Sequence, residues 1–224
     1  MNNIKGLLLK DLLVFKSYKK NVIVSFISFV VLIFISSITY DMLTYGPLVF
    51  LMFFGMNSIS SFSYDEAANS DSFILSLTSS KKDIVKAKFL SIFLLAFSSL
   101  FIGIFITVLI YIILGNDFKG FNDALNNWCL SFTFVSFLMC SEVPCIYKWG
   151  VEKGRMQALL VPLVIVVLLG IVFSITVFIF PSLFQRKYLD LLIANLPILS
   201  VLINLIMYLA SYKLSYKLFY EKDL

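Results

Sequence analysis

Apolar residues run along this chain in long, nearly unbroken stretches, and the polar positions cluster between them. Six stretches approach the roughly 20 residues that a helix rising 1.5 Å per residue needs to cross a bilayer: residues 21–39, 46–62, 89–114, 128–147, 156–180 and 191–210. Asn57, Ser58, Ser60 and Ser61 dilute the end of the second, while the third and fifth are long enough to tilt. Ahead of them, residues 1–20 place Ile4, Leu7, Leu8, Leu12 and Phe15 on one helical face, with Lys5, Lys10, Lys16 and Lys20 mostly opposite. That is the pattern of an interfacial elbow helix. Asp11 interrupts the apolar arc, and pairing with a nearby lysine is the only account the pattern offers. The following run is long and lacks a small-residue cleavage site, so the arm is read as part of the mature protein. The expected fold class is all-α: one polytopic membrane domain over 1–224, with a polar tail over 211–224.

One polar stretch is too long for a minimal turn. Residues 63–88 open with Asp65, Glu66 and Asp71, carry the apolar patch Phe73, Ile74, Leu75 and Leu77, and close with Lys81, Lys82, Lys86 and Lys88. Two readings fit: a short helix presenting apolar anchors to a soluble partner, or a solvated hairpin against the headgroups. Its end is better defined, because Ser80 followed by Asp83 suits a helix start in which hydroxyl and backbone N–H groups satisfy one another. A displacement of the patch would then pass into a rigid span.

Composition fixes the solvent. Sixty per cent of the 224 residues are hydrophobic and 14% charged, with a mean hydropathy of +0.97, against roughly 45–50% apolar residues in soluble domains. A net charge of +5 does not mean nucleic acid here, since 24 Phe and long apolar runs are foreign to a duplex-binding surface. The basic residues instead report orientation. Fifteen of the eighteen Lys and Arg lie in the amino-terminal arm, the 63–88 stretch, the segment from Lys148 to Arg155 and the carboxyl-terminal tail. Only Lys119, Arg186 and Lys187 fall elsewhere. Both termini and the second and fourth connections are therefore expected in the cytoplasm.

Candidate chemistry inside the spans is sparse. Ala96, Ser99 and Gly103 at helical spacing allow close approach of a neighbouring helix. Glu142 is the carboxylate placed within a span, with Pro144 loosening the turn beside it. It either pairs with Lys148 or Lys153 or belongs to a substrate path or inner gate. Asn195, Pro197 and Asn204 line a polar seam or satisfy neighbouring helices. Cys129, Cys140 and Cys145 have no paired spacing, and histidine is absent, so neither a disulfide framework nor a metal cluster follows. No phosphate-loop, His-Glu-x-x-His or Gly-x-Ser-x-Gly motif occurs, so no enzymatic site is expected and the chain cannot hydrolyse ATP by the phosphate-loop route.

Three stretches in order resemble the membrane subunit of a type-2 ABC transporter, in the form of small six-span bacterial permeases made separately from their ATPase. GLLLKDLLVFK resembles the opening elbow, with Lys10, Asp11 and Phe15. SYDEAANSDSFILSLTSSKKDIVKAKFL resembles the first cytoplasmic loop, although Thr78 stands where the family often has proline. PCIYKWGVEKGRMQ resembles the inner end of the fourth span and the second cytoplasmic loop, at Pro144, Lys148, Gly150, Glu152, Gly154 and Arg155.

The resemblance implies a permease of the bacterial cytoplasmic membrane, paired with a second permease copy, identical or not, and with ABC ATPase subunits that hold Mg-ATP. No cofactor is implied in this chain. Asp65, Glu66, Phe73, Ile74, Leu77, Lys82 and Asp83 would form the coupling helix between spans 2 and 3. Such permeases include exporters and immunity factors for amphipathic peptides such as phenol-soluble modulins and lantibiotics, which makes a peptide the first expectation for the substrate and a lipid or hydrophobic drug the second. Two other classes remain compatible with the residues: an ion-coupled secondary transporter using Glu142, and a non-transporting membrane partner or sensor.

Overall fold

The computed structural model describes residues 2–17, 23, 27, 46–68, 70, 74, 80–114, 121–179 and 193–221. Its long elements are α1 (Asn2–Ser17), α2 (Gly46–Ala67), α3 (Lys81–Leu114), α4 (Phe121–Trp149), α5 (Val151–Ile179) and α6 (Leu196–Tyr220). Among the described residues there is no strand. Among the described residues four helices, α3 to α6, are long and apolar enough to cross a membrane. They match four of the six expected spans. The second expected span lies in α2, whose serines and closing Asp65 and Glu66 keep it less apolar. The first, 21–39, lies outside the described residues apart from 23 and 27.

Several boundaries differ from those expected. The polar stretch over 63–88 contracts to a connection over 68–80, because α2 continues through Ala67 and α3 begins at Lys81. With 34 residues, α3 is about 50 Å long, so its charged first turns project beyond a hydrocarbon layer of about 30 Å. The tail expected over 211–224 is helical as far as Tyr220, since Ser211, Ser215 and Phe219 are buried. Pro197 in the first turn fits the start of α6 at Leu196.

α4 is the centre of the bundle. It packs most extensively against α6 and α5 and next against α2, while α3 lies against α1, α2 and α6. Of its most apolar stretch 56% is buried, against 13% for α5. A long helix so apolar and so little covered is suited to a hydrocarbon surrounding. Edge-to-face aromatic pairs fill the joints: Phe50 with Trp128, Phe97 with Phe132, Phe93 with Tyr208, and Phe62 with Tyr147. Ala96, Ser99 and Gly103 form a buried face of α3. A Cβ at Gly103 would lie 2.1 Å from the Trp128 ring, so only glycine permits this approach.

A polar seam joins α4 to α6. Asn204 donates to Thr133 Oγ1 at 3.1 Å, and Ser211 donates to the Cys140 carbonyl at 2.7 Å. Both pairs are 71 residues apart in sequence, so the two helices run parallel and in register. Buried side chains that hydrogen-bond across helices hold apolar helices together where the hydrophobic effect between them is weak.

Candidate functional site

Charged side chains converge where α1, the end of α2 and the start of α3 meet. Asp65 lies in the last turn of α2 and is only 7% exposed. Its two oxygens face two lysines: Lys10 Nζ at 2.6 Å from Oδ1 and Lys88 Nζ at 2.5 Å from Oδ2. Ser70 also donates to Oδ1, at 2.8 Å. Lys88, 3% exposed, reaches Asp11 Oδ1 at 2.8 Å and donates to Ser61 Oγ at 3.0 Å. Ser91 completes the ring by donating to Asp11 Oδ2 at 3.2 Å. Two carboxylates and two ammonium groups thus neutralise one another, as burial requires. Burial alone would push the Asp65 carboxyl up, but Lys88 and Lys10 outweigh it and hold it below the usual aspartate range.

The neighbouring residue ties α2 to a different helix. Glu66 Oε2 accepts from the Val151 backbone N–H at 2.6 Å, placing a carboxylate on the amino terminus of α5. Gly150 makes this possible. It is the one-residue joint between α4 and α5, with φ at +80°, and a Cβ there would lie 2.7 Å from Glu66 Oε1. A second tie runs from Arg155 Nη2 to Ser63 Oγ at 3.1 Å. The start of α3 has the expected capping arrangement: Asp83 N–H donates to Ser80 Oγ at 3.2 Å, and the hydroxyl donates to Asp83 Oδ2 at 2.7 Å. Lys81 Nζ in the same turn lies 3.3 Å from the Tyr220 carbonyl and so touches the end of α6.

The structure brings Lys10, Asp11 and Asp65 into one cluster and sets Glu66 beside it. Asp65 and Ile74, expected at an ATPase groove, both lie inside the chain: Asp65 on its lysines, Ile74 in the hydrophobic core at 8% exposure. Lys82 is exposed, as are Lys148 and Glu152. The side chain of Phe15, together with Phe73 and Leu77, lies outside the described residues. Glu142 does not pair with Lys148 or Lys153 here: Arg155 Nε is its partner, at 3.7 Å, while Lys148 sits over the Trp149 ring. Asn195 is at the opening of α6 and Glu142 near the close of α4; because these helices are parallel, the two stand at opposite ends of the bundle. Asn204 is buried and donates to Thr133 across the joint between α6 and α4. Pro144 is buried in the interior of α4.

Lys88, Ser61 and Ser91 were not singled out as site residues from sequence. Lys88 carried a signal all the same, as the last cation before an unbroken apolar run, where an ammonium group must be paired. Gly150 had one too, standing between two helical runs at the usual place of a left-handed cap.

Compared with known proteins, residues 6–220 match the sequence profile described as ABC-2 family transporter protein. No curated protein and no solved structure matches the chain. The match takes in most of α1, the acidic end of α2 and every later long helix as far as Tyr220. The chain belongs to the ABC-2 family of transporter proteins.

Proposed function

We propose that this permease exports an amphipathic peptide across the bacterial cytoplasmic membrane, with both its termini in the cytoplasm and its energy drawn from Mg-ATP on separate ABC ATPase subunits. Family membership makes the chain an ABC-type membrane permease, a class that works with an ATPase partner. In the proposed assembly a second permease copy completes the path. The connection over 68–80 docks on the ATPase through Phe73 and Leu77, and ATP-driven closure moves it.

The observation that carries this reading is the placement of Asp65 and Glu66. They end the helix leading into that connection, and their side chains grip α1, α3 and α5 directly. A push on the connection would therefore reach three helices through two adjacent residues, as a mechanical coupling requires. The paucity of charge within the helices and the apolar face of α5 suit an amphipathic cargo.

Co-purification with the candidate ATPase tests it, with ATP hydrolysis recorded for wild type, Phe73→Ala/Leu77→Ala and Glu66→Ala. The docking variant is expected to lose association. Glu66→Ala is expected to keep association and lose substrate-stimulated hydrolysis. An unaltered response in both variants would reject the coupling role and favour a carrier that works without an ATPase.

A further inference from the structure

A cavity of about 410 Å³ opens between α2, α4 and α5. Its wall is apolar and adaptable, including Met52, Ile59, Val135 and Met139, and Gly55 on the α2 side lets Met139 pack close, a Cβ there lying 2.8 Å from the Met139 methyl. Two charged side chains border it: Glu142 from α4 and Arg155 from α5. Their contact is loose. Arg155 Nε stands 3.7 Å from Glu142 Oε1, beyond hydrogen-bond range, and Nη2 is engaged by Ser63. The Arg155 side chain is 45% exposed and that of Glu142 is 22% exposed, so the guanidinium has solvent to move into and the carboxylate has little.

We infer that this cavity binds an amphipathic cation, its apolar body among the methionines and its ammonium group on Glu142 in place of Arg155. The inference rests on the permease reading and deepens it by naming a substrate class and the residue that selects it. An incoming amine can approach to hydrogen-bond distance, which Arg155 does not, and the two charge-assisted contacts are not equivalent. Arg155 then acts as an internal competitor for the carboxylate. A neutral amphiphile fills the same wall without that contact, and an anionic one cannot pair with Glu142.

The test uses the full chain in nanodiscs of zwitterionic lipid, without ATPase, photolabelled by diazirine-bearing dodecylamine, dodecanol and dodecanoate. Adducts mapped by peptide mass spectrometry should fall on Met52, Val135 or Met139, with dodecylamine saturating at the lowest concentration. Glu142→Gln should raise the amine half-saturation about tenfold, the scale of one lost charge-assisted contact, and leave dodecanol labelling unchanged. Arg155→Gln should lower the amine half-saturation, a gain that damage to the fold would not produce. Equal labelling by all three probes, or an amine affinity indifferent to both substitutions, overturns the inference. Because binding is read on the permease alone, such a failure would leave the ATPase association experiment able to succeed, and the reverse also holds.

Discussion

Ser211 on α6 supplies the hydrogen bond that Pro144 removes from α4. Proline has no backbone N–H, so the Cys140 carbonyl four residues earlier lacks its helical donor, and the Ser211 hydroxyl donates to it at 2.7 Å. In a bilayer such a carbonyl has no water to turn to. Ser211→Ala should therefore lower stability by about 1–2 kcal/mol. In a Pro144→Ala background, where the helix supplies its own donor, the loss should fall to less than half of that. Thermal denaturation of the four proteins in mild detergent gives the coupling directly.

Glu66 should show a graded response. Its carboxylate accepts the first N–H of α5, so Glu66→Ala removes both a cap and a favourable charge, at a cost of about 1–2 kcal/mol. Glu66→Gln keeps an acceptor and should cost less than half as much. Hydrogen exchange at Val151 is the local readout, accelerating most in the alanine variant.

Acid should release α1 only at low pH. The Asp65 carboxyl is held below its ordinary value, so the native state favours the ionised form more than the unfolded chain does. Its contribution is complete above the unfolded value of about 3.9 and is lost as the pH falls through the depressed native value. Protease cleavage within residues 2–17 should stay slow down to about pH 4 and rise below it. Asp65→Asn should expose the arm at neutral pH, costing about 3 kcal/mol through the buried ammonium group left short of a partner.

Gly103 should tolerate no side chain. A Cβ would sit 2.1 Å from a ring that is itself fixed by the Trp128 Nε1–H bond to Thr107 at 3.0 Å. Gly103→Ala is expected to cost about 1–3 kcal/mol, the range for overpacking. Gly170, with nothing within 4 Å of its Cβ position, is the control: the same substitution there should be neutral or slightly stabilising, measured by melting temperature.

Local signals in the sequence translated faithfully and distant ones did not. The Ser80 and Asp83 cap is a matter of three residues, and the pattern of types alone implies its geometry. The helix α1 and four apolar helices long enough to cross a membrane follow from periodicity and length. By contrast, Lys10 meets Asp65 across 55 residues and Lys88 meets Asp11 across 77, and no local rule chooses among eighteen cations. Glu142 shows the same limit: Lys148 and Lys153 are nearer in sequence, yet the one-glycine turn at Gly150 swings Arg155 toward it. The inward turn of Asp65 was hidden because a polar loop and the last turn of a helix have similar composition. What decided between them was the pair of lysines waiting on α1 and α3, Lys88 buried and Lys10 partly so.

Consecutive residues on a helix point about 100° apart around its axis. Since Asp65 grips α1 and α3 while Glu66 grips α5, the end of α2 is pinned in two directions, like a key with two teeth. Rotation about the axis would strain both grips, whereas a sideways shift would carry the gripped helices along. The helix end thereby filters motion, resisting twist and passing displacement, so that a disturbance reaching it from residues 68–80 would enter the bundle as a translation of several helices together.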